Sequence, residues 1–124
     1  NPKNAAALNY LGYTYAEKGV RLEEAEGLIL KAIKIAPNDG FYIDSLGWVY
    51  YQKGDYQQAV KHLEQAVGSA IDDPTIIEHL GDVYEKLGRL KQAVKRYRDA
   101  LNRSKEEEQS KRIREKIQLL EEKT

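Results

Sequence analysis

Thirteen residues of this chain have the types and spacing to bind another molecule, and none has the arrangement to react with one. Tyr10, Tyr13, Trp48 and Tyr51 make an aromatic end, and Glu78, Asp82 and Glu85 an acidic one, with Asp44 between them. Asn9, Phe41, Ser45, Gln52 and His79 fall on the same helical faces. Aromatic side chains dominate binding hot spots, because a rigid ring buries much apolar area at little entropic cost. Carboxylates favour a basic partner and speed its arrival more than they tighten it. The pattern predicts a peptide or protein segment with apolar or aromatic anchors plus Lys or Arg. The same spacings suit Trp48 and Tyr51 as wedges between neighbouring helices, and the acids as an ordinary solvated face.

Catalysis finds no constellation. His62 and His79 lie on different helices, and His62 reads as a solvated residue on an outward side. No nucleophile–base pair, phosphate loop or metal-ligand spacing occurs. The chain is expected to be no enzyme and to need no cofactor or metal. Lysines and arginines recur on the second helices (Lys31, Lys34, Lys61, Lys91, Lys95, Arg96, Arg98). They read as a solvated convex face, with no nucleic-acid role.

The elements that carry these residues repeat. Leu11-Gly12, Tyr15 and Gly19 return as Leu46-Gly47, Tyr50 and Gly54, and again as Leu80-Gly81, Tyr84 and Gly88. Alanines seven apart follow each block, with a large residue between them: Ala25, Ile29, Ala32; Ala59, Leu63, Ala66; Ala93, Tyr97, Ala100. The period is 34 residues, and such self-similarity marks a stacked array of helix pairs. In the second repeat the helices are expected over 40–53 and 56–69. Gly12, Gly47 and Gly81 let the paired helices approach closely, and Gly19, Gly54 and Gly88 end the first helix of each pair. Asn4, Asn38-Asp39 and Asp73 are candidate caps, with Pro2, Pro37 and Pro74 punctuating the junctions. The register slips once, by one residue between Gly19 and Leu22. That turn is expected to be longer and more mobile.

Beyond the third repeat, Ser104-Lys105-Glu106-Glu107 has the form of a capping box. Ile113, Ile117 and Leu120 then make one narrow apolar stripe, as a terminal capping helix needs. Twenty basic residues balance twenty acidic ones, so no global charge favours nucleic acid or an anionic membrane. There is no run of eighteen apolar residues, so no membrane span is expected. The absence of cysteine leaves the compartment open. The start at Asn1-Pro2, in mid-repeat, reads as a piece of a longer repeat protein.

These spacings resemble the tetratricopeptide repeat over about residues 5 to 107. The resemblance implies an all-α right-handed superhelical solenoid of antiparallel helix pairs. It predicts seven helices in one domain, with repeats at about 5–39, 40–73 and 74–107 and a capping helix at about 105–122. It implies that the thirteen residues named above line a concave groove, and hence a noncatalytic protein-interaction scaffold. The segment Asp44–Tyr51 resembles the C-terminal repeats of bacterial tetratricopeptide proteins, some of them envelope lipoproteins. The family's carboxylate clamp uses Lys, Arg and Asn. The corresponding residues here are Asn9, Tyr13, Ser45, Thr75 and His79, so no clamp ligand is expected. The alternative function is self-assembly, by stacking through Ala5, Ala7, Leu8 and Leu11 of the first helix.

Overall fold

The computed structural model describes residues 4–70 and 72–123. Among them the backbone forms seven α-helices and no strand: α1 (Ala5–Lys18), α2 (Leu22–Ile35), α3 (Gly40–Lys53), α4 (Tyr56–Ser69), α5 (Pro74–Lys86), α6 (Leu90–Arg103) and α7 (Glu107–Glu121). The chain divides into two compact units, residues 1–70 with α1–α4 and residues 71–124 with α5–α7.

Helix starts follow side-chain chemistry. Asn4 accepts from the Ala7 amide at 3.0 Å, and Asp39 from the Phe41 and Tyr42 amides at 2.9 and 3.3 Å. Asp73 accepts from the Thr75 and Ile76 amides at 2.9 and 3.1 Å, with Pro74 at the first helical position. These are the orphan amides of a helix N-terminus, which would otherwise go unpaired. Pro2, expected to punctuate the first junction, lies outside the described residues.

Helices pair because a glycine on one faces a bulky residue on the other. A Cβ on Gly12 would sit 2.7 Å from Ile29, on Gly47 2.8 Å from Leu63, and on Gly81 2.6 Å from Tyr97. Ile29, Leu63 and Tyr97 are fully buried, and so are the alanines on either side of each. Each burial contributes about 1.5–3 kcal/mol of hydrophobic stabilisation. The repeated tyrosines each carry a cation on the ring: Arg21 5.4 Å from Tyr15, Lys53 5.9 Å from Tyr50, Arg89 6.0 Å from Tyr84. Tyr50 also donates to Glu26 at 3.0 Å, and Lys53 bonds Glu26 and Glu23, so α3 is clamped to α2.

The extra residue of the first repeat sits in the α1–α2 turn. Two residues separate Gly19 from the start of α2, where only one separates Gly54 from α4 and Gly88 from α6. The chain absorbs it by putting Arg21 in the left-handed region at φ 48°.

Leu46 and Leu80 are 5% and 1% exposed, whereas Leu11 at the same repeat position is 41% exposed. Two expectations need correction. His62 is half-buried against Tyr50, with stacked rings 5.4 Å apart. Burial, helped by Lys61, lowers its pKa below the usual imidazole value. The capping box does not form. Ser104 ends α6 in an extended conformation, and α7 begins after Glu106 with no side-chain cap. Ser104 Oγ instead donates to the Glu106 carbonyl at 3.2 Å and lies 2.9 Å from Ser110 Oγ.

Candidate binding surface

In the first unit, α1 packs beside α3, and the candidate residues of both helices divide by environment. Tyr10 and Phe41 project into solvent, at 76% and 53% exposed. Trp48 and Tyr51, one helical turn apart on α3, stack with ring centroids 4.3 Å apart and planes within 4°. Tyr51 meets Tyr56 edge-on at 5.5 Å. Stacked and edge-on rings at these distances add about 0.5–1.5 kcal/mol per pair beyond area burial. Trp48 also packs on the buried cluster Ala16, Ala25, Ile29, Leu46 and Val49. One tryptophan therefore serves the core and the surface together. Tyr13, on α1, is half-buried.

The polar members of the set are used internally. Ser45 is 2% exposed, and its hydroxyl donates to the Phe41 carbonyl at 3.1 Å. Gln52 donates to the Ala16 carbonyl at 2.8 Å, tying the end of α3 to the end of α1. Asp44 is 6% exposed. The Asn9 Oδ1 is buried with no hydrogen-bond partner among the described residues. The sequence places Asp44 and Ser45 on an open face, but both are buried.

The second unit holds the larger correction. Glu78, Asp82 and Glu85 do not form an open acidic face. Glu78 is 3% exposed and lies under α7. Arg112 grips it with two bonds, Nε and Nη2 each 2.8 Å from a carboxylate oxygen. Lys116 Nζ reaches Glu78 at 2.7 Å and Asp82 at 2.8 Å, and Gln109 donates to Glu78 at 3.2 Å and to Thr75 at 3.1 Å. Tyr97 donates to Asp82 at 2.6 Å, with Glu85 Oε1 3.0 Å away as a second acceptor. Lys116 stands 5.4 Å from the Tyr97 ring centroid. His79 is 7% exposed, and only Glu85 of this group reaches solvent freely.

Burial alone would raise the pKa of Glu78. The bonds from Arg112 and Lys116 outweigh it and hold the carboxyl at about 2. Arg112 is shifted up mainly by its bonds to Glu78. Burial pulls Lys116 down, but Asp82 and Glu78 outweigh it and raise its pKa. Burial and the Asp82 charge hold the Tyr97 hydroxyl firmly protonated. The sequence reading missed Gln109, Arg112 and Lys116. Their signal was a second stripe on α7 at the spacing of Glu78 and Asp82: an acid pair four apart, answered by a base pair four apart. Among the described residues no group of three or more metal-ligating side chains converges.

Antiparallel helix pairs joined by tight turns, with a fixed small-against-large contact in each, define a helical-repeat protein. Three family models match it in turn: a tetratricopeptide repeat at residues 1–40, a TPR repeat at 47–88 and a tetratricopeptide repeat at 76–111. The chain belongs to the tetratricopeptide-repeat family. It is 48% identical over 66 residues to the TPR repeat-containing protein PA4667 of Pseudomonas aeruginosa, a match that takes in 53% of this chain. The matched segment spans 11% of that relative's length. Among solved structures it is similar to the type III secretion translocator chaperone SycD of Yersinia enterocolitica. The TM-score is 0.86 at 17% identity, over 99% of this chain and 87% of that one. SycD in complex with a peptide of the translocator YopD matches at TM-score 0.82 and 18% identity, over 95% and 92% of the chains. The first TPR of Spaghetti (RPAP3), bound to the HSP90 peptide SRMEEVD, matches at TM-score 0.78 and 20% identity, over 97% and 95%. These likenesses show the all-α tetratricopeptide fold.

Proposed function

We propose that this chain is a noncatalytic scaffold that binds a peptide or protein segment on the α1–α3 face of its first unit. The observation that carries this reading is the concentration of aromatic residues on α1 and α3: Tyr10 and Phe41, both exposed, and the stacked Trp48–Tyr51 pair. Isolated exposed apolar residues are ordinary, but aromatic residues concentrated on two adjacent helices are what a hot spot draws on. Among structures that share the fold, SycD is held with a peptide of the translocator YopD and RPAP3 with an HSP90 peptide. The partner carries apolar or aromatic anchors. A basic character in the partner finds less support, since Glu78 and Asp82 are already neutralised by Arg112 and Lys116. Asn9, Tyr13, Ser45, Thr75 and His79 still offer no Lys or Arg for a carboxylate clamp.

The test uses the chain's single tryptophan as reporter. Peptides selected on the immobilised chain should change Trp48 fluorescence on titration. They should bind at least tenfold more weakly to the Tyr10→Ala/Phe41→Ala double variant, whose far-ultraviolet circular dichroism should match the wild type. Selected peptides that bind both proteins equally would remove the site from this face.

A second reading is self-association through the outer face of α1. It is favoured by Leu11, exposed at 41% where the same position is buried in the other repeats. A chain that stays monomeric at high micromolar concentration would end it.

A further inference from the structure

The α6–α7 junction differs from every other junction in the chain. Gly19, Pro37, Gly54, Pro74 and Gly88 stand in or beside the other five, and each disfavours a helix running through the junction. The α6–α7 connection is Ser104-Lys105-Glu106, and no glycine or proline occurs anywhere from Leu90 to Glu121. Ser104 sits at φ −71°, ψ 133° and Glu106 at φ −99°, ψ 125°, ordinary extended values. Nothing in the local chemistry forbids these three residues from becoming helical. Lys and Glu are good helix formers. A continuous helix would also pair the last carbonyls of α6 with the first amides of α7, groups a helix end leaves orphaned.

The seat of α7 does not depend on which chain supplies the helix. It consists of Glu78 and Asp82 of α5, which receive Arg112 and Lys116, Thr75, which receives Gln109, and the face of α6, where Arg98 pairs with Glu121. Ile113, Ile117 and Leu120 are buried alongside. We infer that α7 exchanges between two copies of this chain. In each copy α6 and α7 straighten into one helix, and the α7 of each docks against the α5 and α6 of the other through the same charge pairs and the same α6 packing. Such an exchange is isologous and closes after two chains. The exchanged form recovers every α7 contact and adds the continuous helix. The closed monomer keeps the advantage of a tethered ligand, an effective concentration on the order of millimolar for a short linker. Concentration during folding therefore decides between them.

One substitution separates the two forms. Glu107 is the first residue of α7, where proline is tolerated, and Glu106 before it already has the extended backbone a proline demands. Glu107→Pro fits the closed turn. In a straightened helix its ring would strike the carbonyl four residues earlier. The full chain is unfolded in denaturant, refolded at about 10 μM and at about 1 mM, and run on light-scattering chromatography. Wild type should give a dimer that is several-fold more abundant after concentrated refolding and survives dilution. Glu107→Pro should give monomer at both concentrations with an unchanged circular dichroism spectrum. No dimer in wild type, or equal dimer in Glu107→Pro, would overturn the proposal; the second outcome would point to the α1 face instead. A second arm mixes Glu78→Lys/Asp82→Lys with Arg112→Glu/Lys116→Glu, each of which repels its own α7. A heterodimer should form on co-refolding, and two separate monomers would count against exchange.

Discussion

Glycine-to-alanine substitutions should change sign with position, and the structure gives the sizes. In a helix interior alanine is more favourable than glycine by about 0.8–1.0 kcal/mol, because glycine loses more backbone freedom on folding. At Gly27 and Gly68 an added Cβ meets nothing within 4 Å. Gly27→Ala should therefore gain about 0.5–1 kcal/mol, and Gly68→Ala, one residue from the end of α4, somewhat less. At Gly47 the same methyl would lie 2.8 Å from Leu63 Cγ and 3.4 Å from the Ala59 carbonyl. Cγ is a branch point in a fully buried side chain, so α4 must shift. Overpacking of this kind costs about 1–3 kcal/mol, which exceeds the propensity gain. Gly81→Ala should cost the most, since the Tyr97 ring 2.6 Å away is pinned by its hydroxyl to Asp82. The assay is urea unfolding followed by circular dichroism. A decisive arm repeats Gly47→Ala in a Leu63→Ala background. Leu63→Ala alone should cost about 2–5 kcal/mol. In that background the new methyl enters the vacated space, so Gly47→Ala should become neutral or stabilising, a coupling of about 1–3 kcal/mol. Equal stability of Gly47→Ala and wild type, or additivity of the two substitutions, would refute the close-approach account.

Three further outcomes are expected. The folded pKa of Glu78, about 2, lies below its ordinary 4.5, so its charge stabilises the fold above about pH 4.5 and that contribution drains as pH falls toward 2. It is worth on the order of 3 kcal/mol; wild type should lose this stability across that window and Glu78→Gln should not, in urea titrations at pH 5 and pH 2.5. Arg21→Gly should gain up to about 1 kcal/mol in the same assay, because glycine takes the left-handed conformation at φ 48° without a Cβ clash. Asp73→Ala should lose about 0.5–2 kcal/mol, since two amides of α5 lose their acceptor; a thermal melt shifted by less than a degree would contradict that.

The repeat period determined the six paired helices and the small-against-large contact within each pair. Gly12, Gly47 and Gly81 facing Ile29, Leu63 and Tyr97 were legible because close approach leaves a local mark, a missing side chain at a fixed spacing. The caps at Asn4, Asp39 and Asp73 were legible for the same reason: an N-cap acts over three residues. The aromatic set was legible as residues of α1 and α3. The fate of each ring was not, because Trp48 lies against the core cluster while Tyr10 stays in water, a difference the neighbouring helix makes. Glu78 shows the limit most plainly. Its spacing with Asp82 and Glu85 looks like an open acidic stripe. The partners that close it, Arg112 and Lys116, stand more than thirty residues later in the chain. Helical periodicity tells which side chains share a face. Only tertiary packing decides which faces meet, because a charge pair across two helices depends on how those helices dock.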